Sequence, residues 1–331
     1  MLPGQGVFEP VFLKENYRSN NKILSLNMQE KTPKVSVCIV TYNQEKYIRQ
    51  CLQSIVDQET DFDFEVIVGD DCSTDGTRSI INHFESAYPK LVRLIQQEKN
   101  TGGMQNYLTV HQAAAGDYVC HVDGDDWVRP GKLQKQSRYL DENNECTLVA
   151  HRMATWAAEK QVATTRNNPE RIDLSLLLRH HPMFLNSSIM YRKHQLASIF
   201  QSDKKFIDFY VYISAAQRGG IGFINEVLGD YRRNIGISTV RNLTPYIQAA
   251  INLAAESTGE TSAVIRCRSR SYLSYSIAAL CENNNNEFQK KLSESIKADK
   301  HWILPKLVFL ASYMPKTLRS LILIYKSRPQ S

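Results

Sequence analysis

Four short apolar runs in the first half of the chain each precede an amphipathic stretch, and this alternation limits the fold more than any other feature. The runs are rich in Val and Ile and span residues 35–40, 64–68, 92–95 and 118–122. The stretches between them carry apolar residues at helical spacing. Apolar strands that alternate with helices predict an α/β protein with a mainly parallel, Rossmann-like sheet and helices on both faces.

The second half of the chain is less regular. A strand is predicted at residues 147–157, and helices are predicted at residues 172–179 and 206–218. The remainder is helical in pattern, with interruptions expected at residues 283–286, Pro305 and Pro315.

Charge and cysteine content exclude several classes of protein. The chain of 331 residues carries 40 Lys or Arg and 34 Asp or Glu, a net charge of +6. Six of those basic residues and no acidic residue lie between Lys300 and Ser331, so the rest of the chain is neutral. A protein that binds nucleic acid normally carries its basic patch on the folded domain, so we expect no nucleic acid partner. The seven cysteines form no C-x-x-C pair, which argues against structural zinc and fits a reducing compartment.

Polar clusters end three of the four predicted strands. They are Thr41–Asn43, Asp70–Asp71 and Asp123–Asp126. Ligands bind at the carboxyl ends of parallel strands, so these clusters are expected to share one edge of the sheet. Crowding so many carboxylates is costly unless a cation joins them. Carboxylates without His or Cys suit Mg²⁺ or Mn²⁺, ions that commonly bridge a diphosphate to a protein.

The sequence contains no recognisable phosphate-binding loop. Neither G-x-x-x-x-G-K-[ST] nor G-x-G-x-x-G follows the first strand. The metal ion would therefore hold the diphosphate of a nucleotide, and the nucleobase would be bound by other residues. Tyr42 can stack on a nucleobase, and the carboxylate of Asp71 can accept its imide N–H. This pairing favours uracil or thymine, although guanine also offers an acidic N–H.

These motifs resemble those of the family 2 glycosyltransferases, and they occur together, in order and at matching spacing. The resemblance covers residues 34–145 and extends more weakly to about Ser238. It implies the glycosyltransferase A fold. The segments that carry it are residues 37–43, 69–77, 100–102, 115–118 and 123–126, followed by Pro130 and Leu133.

The resemblance also implies a domain organisation. Residues 1–33 form an N-terminal extension, and residues 34–240 form the catalytic domain. Within that domain, residues 34–145 are the nucleotide-binding half and residues 146–240 the acceptor half. Residues 241–331 form a helical C-terminal region.

Roles follow for the residues that match the family's motifs. Asp123 and Asp125 would form the Asp-x-Asp motif, with Asp123 beside the ribose and the metal ion and Asp125 on the ion itself. The cofactor implied is Mn²⁺ or Mg²⁺. The residues implied to bind the nucleotide are Thr41, Tyr42, Glu45, Asp71 and Asp123.

Asp208 matches the general base of the family, which begins a helix on the acceptor side. Ile207 stands where the family usually has another acidic residue, so Asp203 and Glu226 are competing candidates. Direct displacement needs only one base and inverts the anomeric carbon. The Gln-x-x-Arg-Trp pattern of processive members is absent, so we expect one sugar to be transferred per encounter.

The C-terminal segment is apolar, aromatic and basic. Trp302, Phe309 and Tyr313 accompany the positive charge of residues 300–331. This composition suits the headgroup region of an anionic membrane, where each Lys or Arg contributes about 1 kcal/mol. The alternative is a helix that packs on the domain. No signal peptide or membrane span is predicted, so we expect a cytoplasmic protein bound peripherally to the inner membrane.

The expected function is that of an inverting, metal-dependent glycosyltransferase that uses a nucleotide diphosphate sugar, with UDP favoured. The acceptor would be a hydroxyl group of a glycan or lipid-linked glycan in the synthesis of a bacterial envelope or capsule polysaccharide. One alternative is a nucleotidyltransferase, which the missing Gly-rich basic loop disfavours. The other is a non-catalytic membrane-surface scaffold with a degenerate nucleotide site, which the intact Asp cluster disfavours.

Overall fold

The computed structural model describes residues 32–157, 159–200, 206–233 and 244–311. In the first half of the chain, strands and helices alternate as the apolar pattern predicts. The elements are β1 (Val35–Thr41), α1 (Ile48–Val56), β2 (Phe64–Asp70), α2 (Thr77–Ala87), β3 (Val92–Gln96), α3 (Gly103–Ala113) and β4 (Tyr118–Asp123).

Shorter strands and further helices follow. They are β5 (Trp127–Val128), α4 (Lys132–Glu142), β6 (Leu148–Ala157), β7 (Lys160–Thr164), β8 (Arg171–Ile172), α5 (Leu174–His180), β9 (Met190–Arg192), α6 (Lys193–Phe200), α7 (Asp208–Arg218) and β10 (Ile221–Arg232). A 3₁₀ turn at Asn186–Ser188 precedes β9. The helical region contains α8 (Thr244–Thr258), α9 (Ser262–Cys281), α10 (Asn285–Ala298) and α11 (Ile303–Ala311).

Within the described residues, ten strands form one mixed sheet with the main order β3-β2-β1-β4-β9-β6-β10-β5. The strands β3, β2, β1 and β4 are parallel, as predicted for the nucleotide-binding half. In the second half β6 and β10 are parallel, while β9 is antiparallel to both β4 and β6. The α/β fold class is confirmed, and the antiparallel strands make the sheet as a whole mixed.

Two apolar cores cover the two faces of the sheet, because successive side chains of a strand point in opposite directions. In β1, Val35, Val37 and Ile39 belong to the core formed with α1 and α2, whereas Cys38 belongs to the core formed with α3 and α7. All four side chains are fully buried. This alternation fixes which face each helix covers.

The three-residue strand β9 joins the two halves of the sheet. Its last residue, Arg192, is buried beneath the junction. Arg192 Nε donates to the carbonyl oxygen of Cys146 at 2.9 Å, and Nη1 donates to the hydroxyl of Tyr118 at 3.2 Å. The guanidinium group therefore connects β4 with the start of β6.

Several predicted boundaries need correction. The helix predicted from residue 172 begins at Leu174, because Ile172 pairs with Ile221 in the sheet and Asp173 caps the helix by accepting from the N–H of Leu176. The break predicted at Pro305 is wrong. Pro305 lies in the first turn of α11, where a helix tolerates the missing N–H.

Other predicted features differ in extent or lie outside the described residues. The turn predicted at 283–286 ends at Asn284, which accepts from the N–H of Glu287 and caps α10. The long strand β10 was not predicted. Residues 1–31 of the extension, Asp203, Pro315 and Tyr313 lie outside the residues that the structure describes.

The first two helices of the C-terminal region pack into the catalytic core. Ala250, Ile251 and Ala254 of α8 and Val264 of α9 are buried in the same apolar cluster as Phe209 of α7. The helix that begins with the predicted general base is therefore supported by residues beyond position 240.

Candidate active site

The three polar clusters lie side by side at one edge of the sheet. In the strand registers, Thr41 of β1 pairs with Asp70 of β2, and Val40 pairs with Asp123 of β4. The carboxyl ends of these parallel strands therefore coincide, as the sequence predicted.

Hydrogen bonds tie the loop after β1 to the start of α2. Asn43 Oδ1 accepts from the N–H of Thr74 at 2.8 Å, and the N–H of Gln44 donates to Thr77 Oγ1 at 2.7 Å. Glu45 Oε2 accepts from the N–H of Gly76 at 2.7 Å. The carboxylate of Glu45 thus joins two loops, while the ring of Tyr42 beside it is partly exposed.

Asp71 is buried and holds the loop that follows β3. Its Oδ1 accepts from the N–H of Thr101 at 2.6 Å and from the Thr101 hydroxyl at 2.9 Å. Its Oδ2 accepts from the N–H of Gly102 at 2.9 Å. Thr41 is also buried, and its hydroxyl donates to Gln44 Oε1 at 2.7 Å. Asp71 and Thr41 therefore shape the predicted nucleotide pocket from beneath its surface.

The three carboxylates of the Asp123–Asp126 segment have different environments. The side chain of Asp123 is 37% exposed, whereas Asp125 and Asp126 are buried. Asp126 accepts from the Ser187 hydroxyl at 2.6 Å and from the N–H of Arg232 at 2.9 Å. Asp126 is thus hydrogen-bonded inside the protein, and Asp123 has the most exposed side chain of the three.

The pKa values of these carboxyls reflect their crowding. Burial and the neighbouring charge of Asp123 raise the pKa of Asp125 to about 6. Burial, Asp123 and Asp125 raise the pKa of Asp126. Burial would also raise the pKa of Asp123, but the hydrogen bond from His121 is among the contacts that lower it below its ordinary value. A cation next to Asp123 and Asp125 would relieve this repulsion.

The residues present fit a cation that arrives with a ligand. Among the described residues, no group of three or more His, Cys, Asp or Glu is arranged to hold a metal ion. Mg²⁺ is usually bound by one or two carboxylates together with substrate phosphates and water. Asp123 and Asp125 can supply two carboxylates of that kind.

Asp208 begins α7 and is linked through the Tyr212 hydroxyl to Asn186, the neighbour of the Ser187 that bonds to Asp126. Its Oδ1 accepts from the N–H of Phe209 at 2.8 Å, and its Oδ2 accepts from the Tyr212 hydroxyl at 3.3 Å. Burial is the main cause that raises its pKa, and the charge of Asp123 adds to the effect. The competing candidate Glu226 is exposed and forms an ion pair with Lys135.

Three residues near the cluster are not among the site residues predicted from the sequence. Ser187 bonds to Asp126, and Arg232 is buried with its guanidinium carbon 4.8 Å from the ring centroid of Tyr47 and 4.3 Å from that of Trp127. His121 Nε2 lies 3.1 Å from Asp123 Oδ1. The two-residue period of a strand places residues 121 and 123 on one face, a signal that could have identified His121.

Comparison with known proteins defines the class. An α/β sheet with this acidic edge has the arrangement of the glycosyltransferase A fold. The sequence pattern described as "Glycosyl transferase family 2" matches residues 36–201, just over half of the chain. The chain belongs to this family.

Curated relatives support the assignment. An uncharacterized protein of Mycobacterium tuberculosis is 35% identical over 206 residues, which cover 60% of this chain and 59% of the relative. The putative glycosyltransferase EpsE of Bacillus subtilis is 28% identical over 227 residues, covering 66% of this chain and 80% of EpsE. The match thus spans about three fifths of the length of the mycobacterial relative.

Solved structures share the fold. Residues 1–349 of S. aureus TarS, crystallised with UDP-GlcNAc, align with a TM-score of 0.61 at 20% identity and cover 80% of this chain and 81% of that chain. The mannosyltransferase PcManGT of Pyrobaculum calidifontis, in complex with GDP-Man and Mn²⁺, aligns with a TM-score of 0.52 at 15% identity. That alignment covers 93% of this chain and 90% of PcManGT.

Proposed function

We propose that this protein is an inverting, metal-dependent glycosyltransferase, and that it transfers one sugar from a nucleotide diphosphate sugar to a hydroxyl group of a glycan or lipid-linked glycan. The observation that carries the proposal is the position of two neighbouring carboxylates, Asp123 and Asp125, in one electrostatic cluster with Asp208. The nucleotide sugars named with TarS and PcManGT, and the Mn²⁺ named with PcManGT, support it.

The donor pocket would lie between the loops after β1 and β3. The partly exposed ring of Tyr42 is placed to stack on the base, and Asp71 holds the loop that would close over it. Thr41 and Glu45 would support this pocket through the contacts of the β1 loop. A UDP-sugar is the favoured donor, which the UDP-GlcNAc named with TarS supports. Both oxygens of Asp71 already accept from Thr101 and Gly102, so Asp71 would act on the base through this loop.

Two groups of residues would perform the two parts of the reaction, metal binding and proton transfer. Asp123 and Asp125 would hold Mn²⁺ or Mg²⁺, which supplies positive charge opposite the leaving diphosphate. Asp208 would accept the proton of the attacking hydroxyl at a carboxylate oxygen. Its raised pKa strengthens it as a base, and general base catalysis contributes roughly 10²–10⁴-fold. Because the hydroxyl attacks directly, the anomeric centre is inverted.

The acceptor is proposed to be borne by the cytoplasmic face of the inner membrane, during the synthesis of a cell-surface polysaccharide. On α11, Ile303, Leu304 and Leu307 are exposed, although Trp302 and Phe309 pack against α9 and α10. An exposed apolar face next to a chain segment that carries only basic charge suits peripheral binding to anionic lipid. None of the helices in the described part of the chain is long and apolar enough to span a bilayer.

A donor screen tests the proposal. The protein is incubated with UDP-, dTDP- and GDP-sugars in the presence of Mn²⁺ or EDTA, and release of the nucleoside diphosphate is measured. We expect release from a UDP-sugar that requires the metal. Asp208→Asn should bind the donor normally and lower transfer by at least about 100-fold.

The matched control is Glu226→Gln, which removes an exposed carboxylate and should leave transfer unchanged. Equal loss in both variants would contradict the assignment of Asp208. Full activity in EDTA would contradict the metal site, and release of sugar 1-phosphate in place of the nucleoside diphosphate would indicate a nucleotidyltransferase instead.

A further inference from the structure

A continuous row of buried side chains leads from the interior to Asp123. The Tyr191 hydroxyl lies 2.7 Å from His111 Nδ1, and His111 Nε2 lies 3.0 Å from His121 Nδ1. His121 Nε2 lies 3.1 Å from Asp123 Oδ1. The row therefore connects side chains of β9, α3 and β4, in that order, to one carboxylate oxygen of Asp123.

The hydrogen bonds of this row run in one direction. A carboxylate only accepts, so His121 Nε2 carries the proton that is donated to Asp123. With both imidazoles neutral, His121 Nδ1 accepts from the Nε2–H of His111, and His111 Nδ1 accepts from the hydroxyl of Tyr191. Each ring nitrogen is then used once, and both tautomers follow from the carboxylate at the outer end of the row, since the Tyr191 hydroxyl can donate or accept.

The row is rigid because its members are enclosed in an aromatic cluster. Tyr191, His111 and His121 are all buried. The ring of His111 stacks on Tyr107 at 3.9 Å and on Phe200 at 5.1 Å between centroids. Buried imidazoles cost free energy unless they are hydrogen-bonded, and here each nitrogen between Tyr191 and Asp123 has a partner.

The contact at the other oxygen of Asp123 is weaker. Asp123 Oδ2 lies 3.4 Å from the Ser187 hydroxyl, whose proton is donated to Asp126 at 2.6 Å, and the same hydroxyl accepts from the backbone N–H of Asp123 at 3.0 Å. A side chain that is more than a third exposed would otherwise rotate freely and lose that freedom when it binds an ion. The hydrogen bond from His121 to Oδ1 therefore limits this rotation, while Asp123 Oδ2 stays available to a cation.

We propose that Tyr191, His111 and His121 are positioning residues that orient the Asp123 carboxylate for a divalent cation. This inference rests on the metal site of the proposed function. Residues that hydrogen-bond to a metal ligand typically contribute 10–100-fold to metal affinity. Removing the donor at His121 should therefore weaken the cation site while the nucleoside pocket formed by the β1 and β3 loops is unaffected.

The test measures Mn²⁺ binding, by electron paramagnetic resonance of the free ion, to the full-length protein saturated with UDP. We expect His121→Leu to weaken Mn²⁺ binding by about 10–100-fold. His121→Gln keeps a donor near the Nε2 position and should restore most of the affinity. Tyr191→Phe removes one hydroxyl at the far end and should cause a smaller loss. UDP affinity in EDTA should match the wild type in every variant.

His151→Leu is the matched control, because His151 is equally buried on β6 and its Nδ1 bonds to the carbonyl oxygen of Arg152. It should leave Mn²⁺ affinity unchanged. A folded His121→Leu protein with wild-type Mn²⁺ affinity would overturn this inference alone, as would an equal loss in His151→Leu. A wild-type protein that binds UDP but no Mn²⁺ would overturn the metal site of the proposed function as well.

Discussion

Three aspartates within four residues perform separate tasks because their surroundings differ. Asp126 is bonded to Ser187 and Arg232 inside the protein, Asp123 is partly exposed and bonded to His121, and Asp125 is buried beside both. Identical side chains therefore have pKa values that shift in opposite directions. The stability of the cluster depends on its charge state, and this can be measured without any substrate.

Asp125→Asn is expected to stabilise the metal-free protein above pH 6. The pKa of Asp125 is about 6 in the folded protein and near 3.8 when unfolded, so the folded state binds the proton more tightly. Stability of the wild type therefore falls as the pH rises from about 4 to about 6, by on the order of 3 kcal/mol. Denaturant unfolding in EDTA between pH 4 and 8 should show a fall in the wild type that is smaller in Asp125→Asn, where the raised pKa values of Asp126 and Asp208 still contribute. The exposed Asp117→Asn should behave like the wild type; equal pH dependence in Asp125→Asn would refute the expectation.

At the scale of elements, side chains at the ends of the strands hold the neighbouring loops in place. Glu45 joins the β1 loop to α2, and Asp71 joins the end of β2 to the loop after β3. Gly124 lets the β4 loop approach closely, since a Cβ there would lie 2.6 Å from Gln44 Oε1 and 2.8 Å from Thr41 Cβ. The pocket is thus built from loops that support one another.

Asp71→Ala should therefore have two effects. It leaves the N–H of Thr101 without its acceptor and the N–H of Gly102 with Asn100 Oδ1 at 3.1 Å, at a cost of about 1–3 kcal/mol for a buried donor that finds no water. Hydrogen exchange at both amides should accelerate, and UDP should bind more weakly. Tyr42→Ala is the comparison, because it should weaken UDP binding without changing amide exchange. Wild-type exchange rates in Asp71→Ala would show that the carboxylate does not hold the loop.

The sequence predicted the elements whose signals are local. Strands β1 to β4 were found because their apolar runs are continuous, and the acidic edge followed from the rule for parallel strands. Strand β10 was missed because its exposed residues Asn225 and Glu226 interrupt the apolar pattern. The link between Asp71 and Thr101, and the row from Tyr191 to Asp123, join residues far apart in sequence, so only the tertiary structure brings them together.

At the scale of the whole molecule, the helical C-terminal region shares an apolar core with α7. Ala250, Ala254 and Val264 are buried with Phe209, the residue that follows Asp208. The cluster of Leu273, Leu280, Phe288 and Leu292 extends this packing to α10. The helical region therefore stabilises the position of the proposed base.

Two truncations distinguish the role of the C-terminal helices from that of the basic segment after them. Removal of residues 244–331 exposes the apolar face of α7, so we expect an insoluble protein or one without cooperative unfolding. Removal of residues 312–331 leaves every described helix in place and should preserve the thermal midpoint while weakening binding to anionic vesicles, most clearly at low salt. Thermal unfolding measures the thermal midpoint, and co-sedimentation with vesicles measures membrane binding. Equal sedimentation of the shorter truncation and the full chain would contradict the proposed role of the tail.

The buried contact between Arg192 and Tyr118 has a consequence for recombination between relatives. A chimaera that joins one protein's nucleotide-binding half to another's acceptor half, with its crossover near residue 145, takes Tyr118 from the first parent and Arg192 from the second. The carbonyl oxygens of Leu140, Asn143 and Cys146, which also accept from Arg192, survive any side-chain exchange, but the Tyr118 hydroxyl does not. A first parent without this tyrosine, joined to a second parent that carries Arg192, would leave one N–H of the buried guanidinium without that acceptor, at a cost of about 1–3 kcal/mol. We therefore expect chimaeras between parents that match at this pair to be the more stable ones.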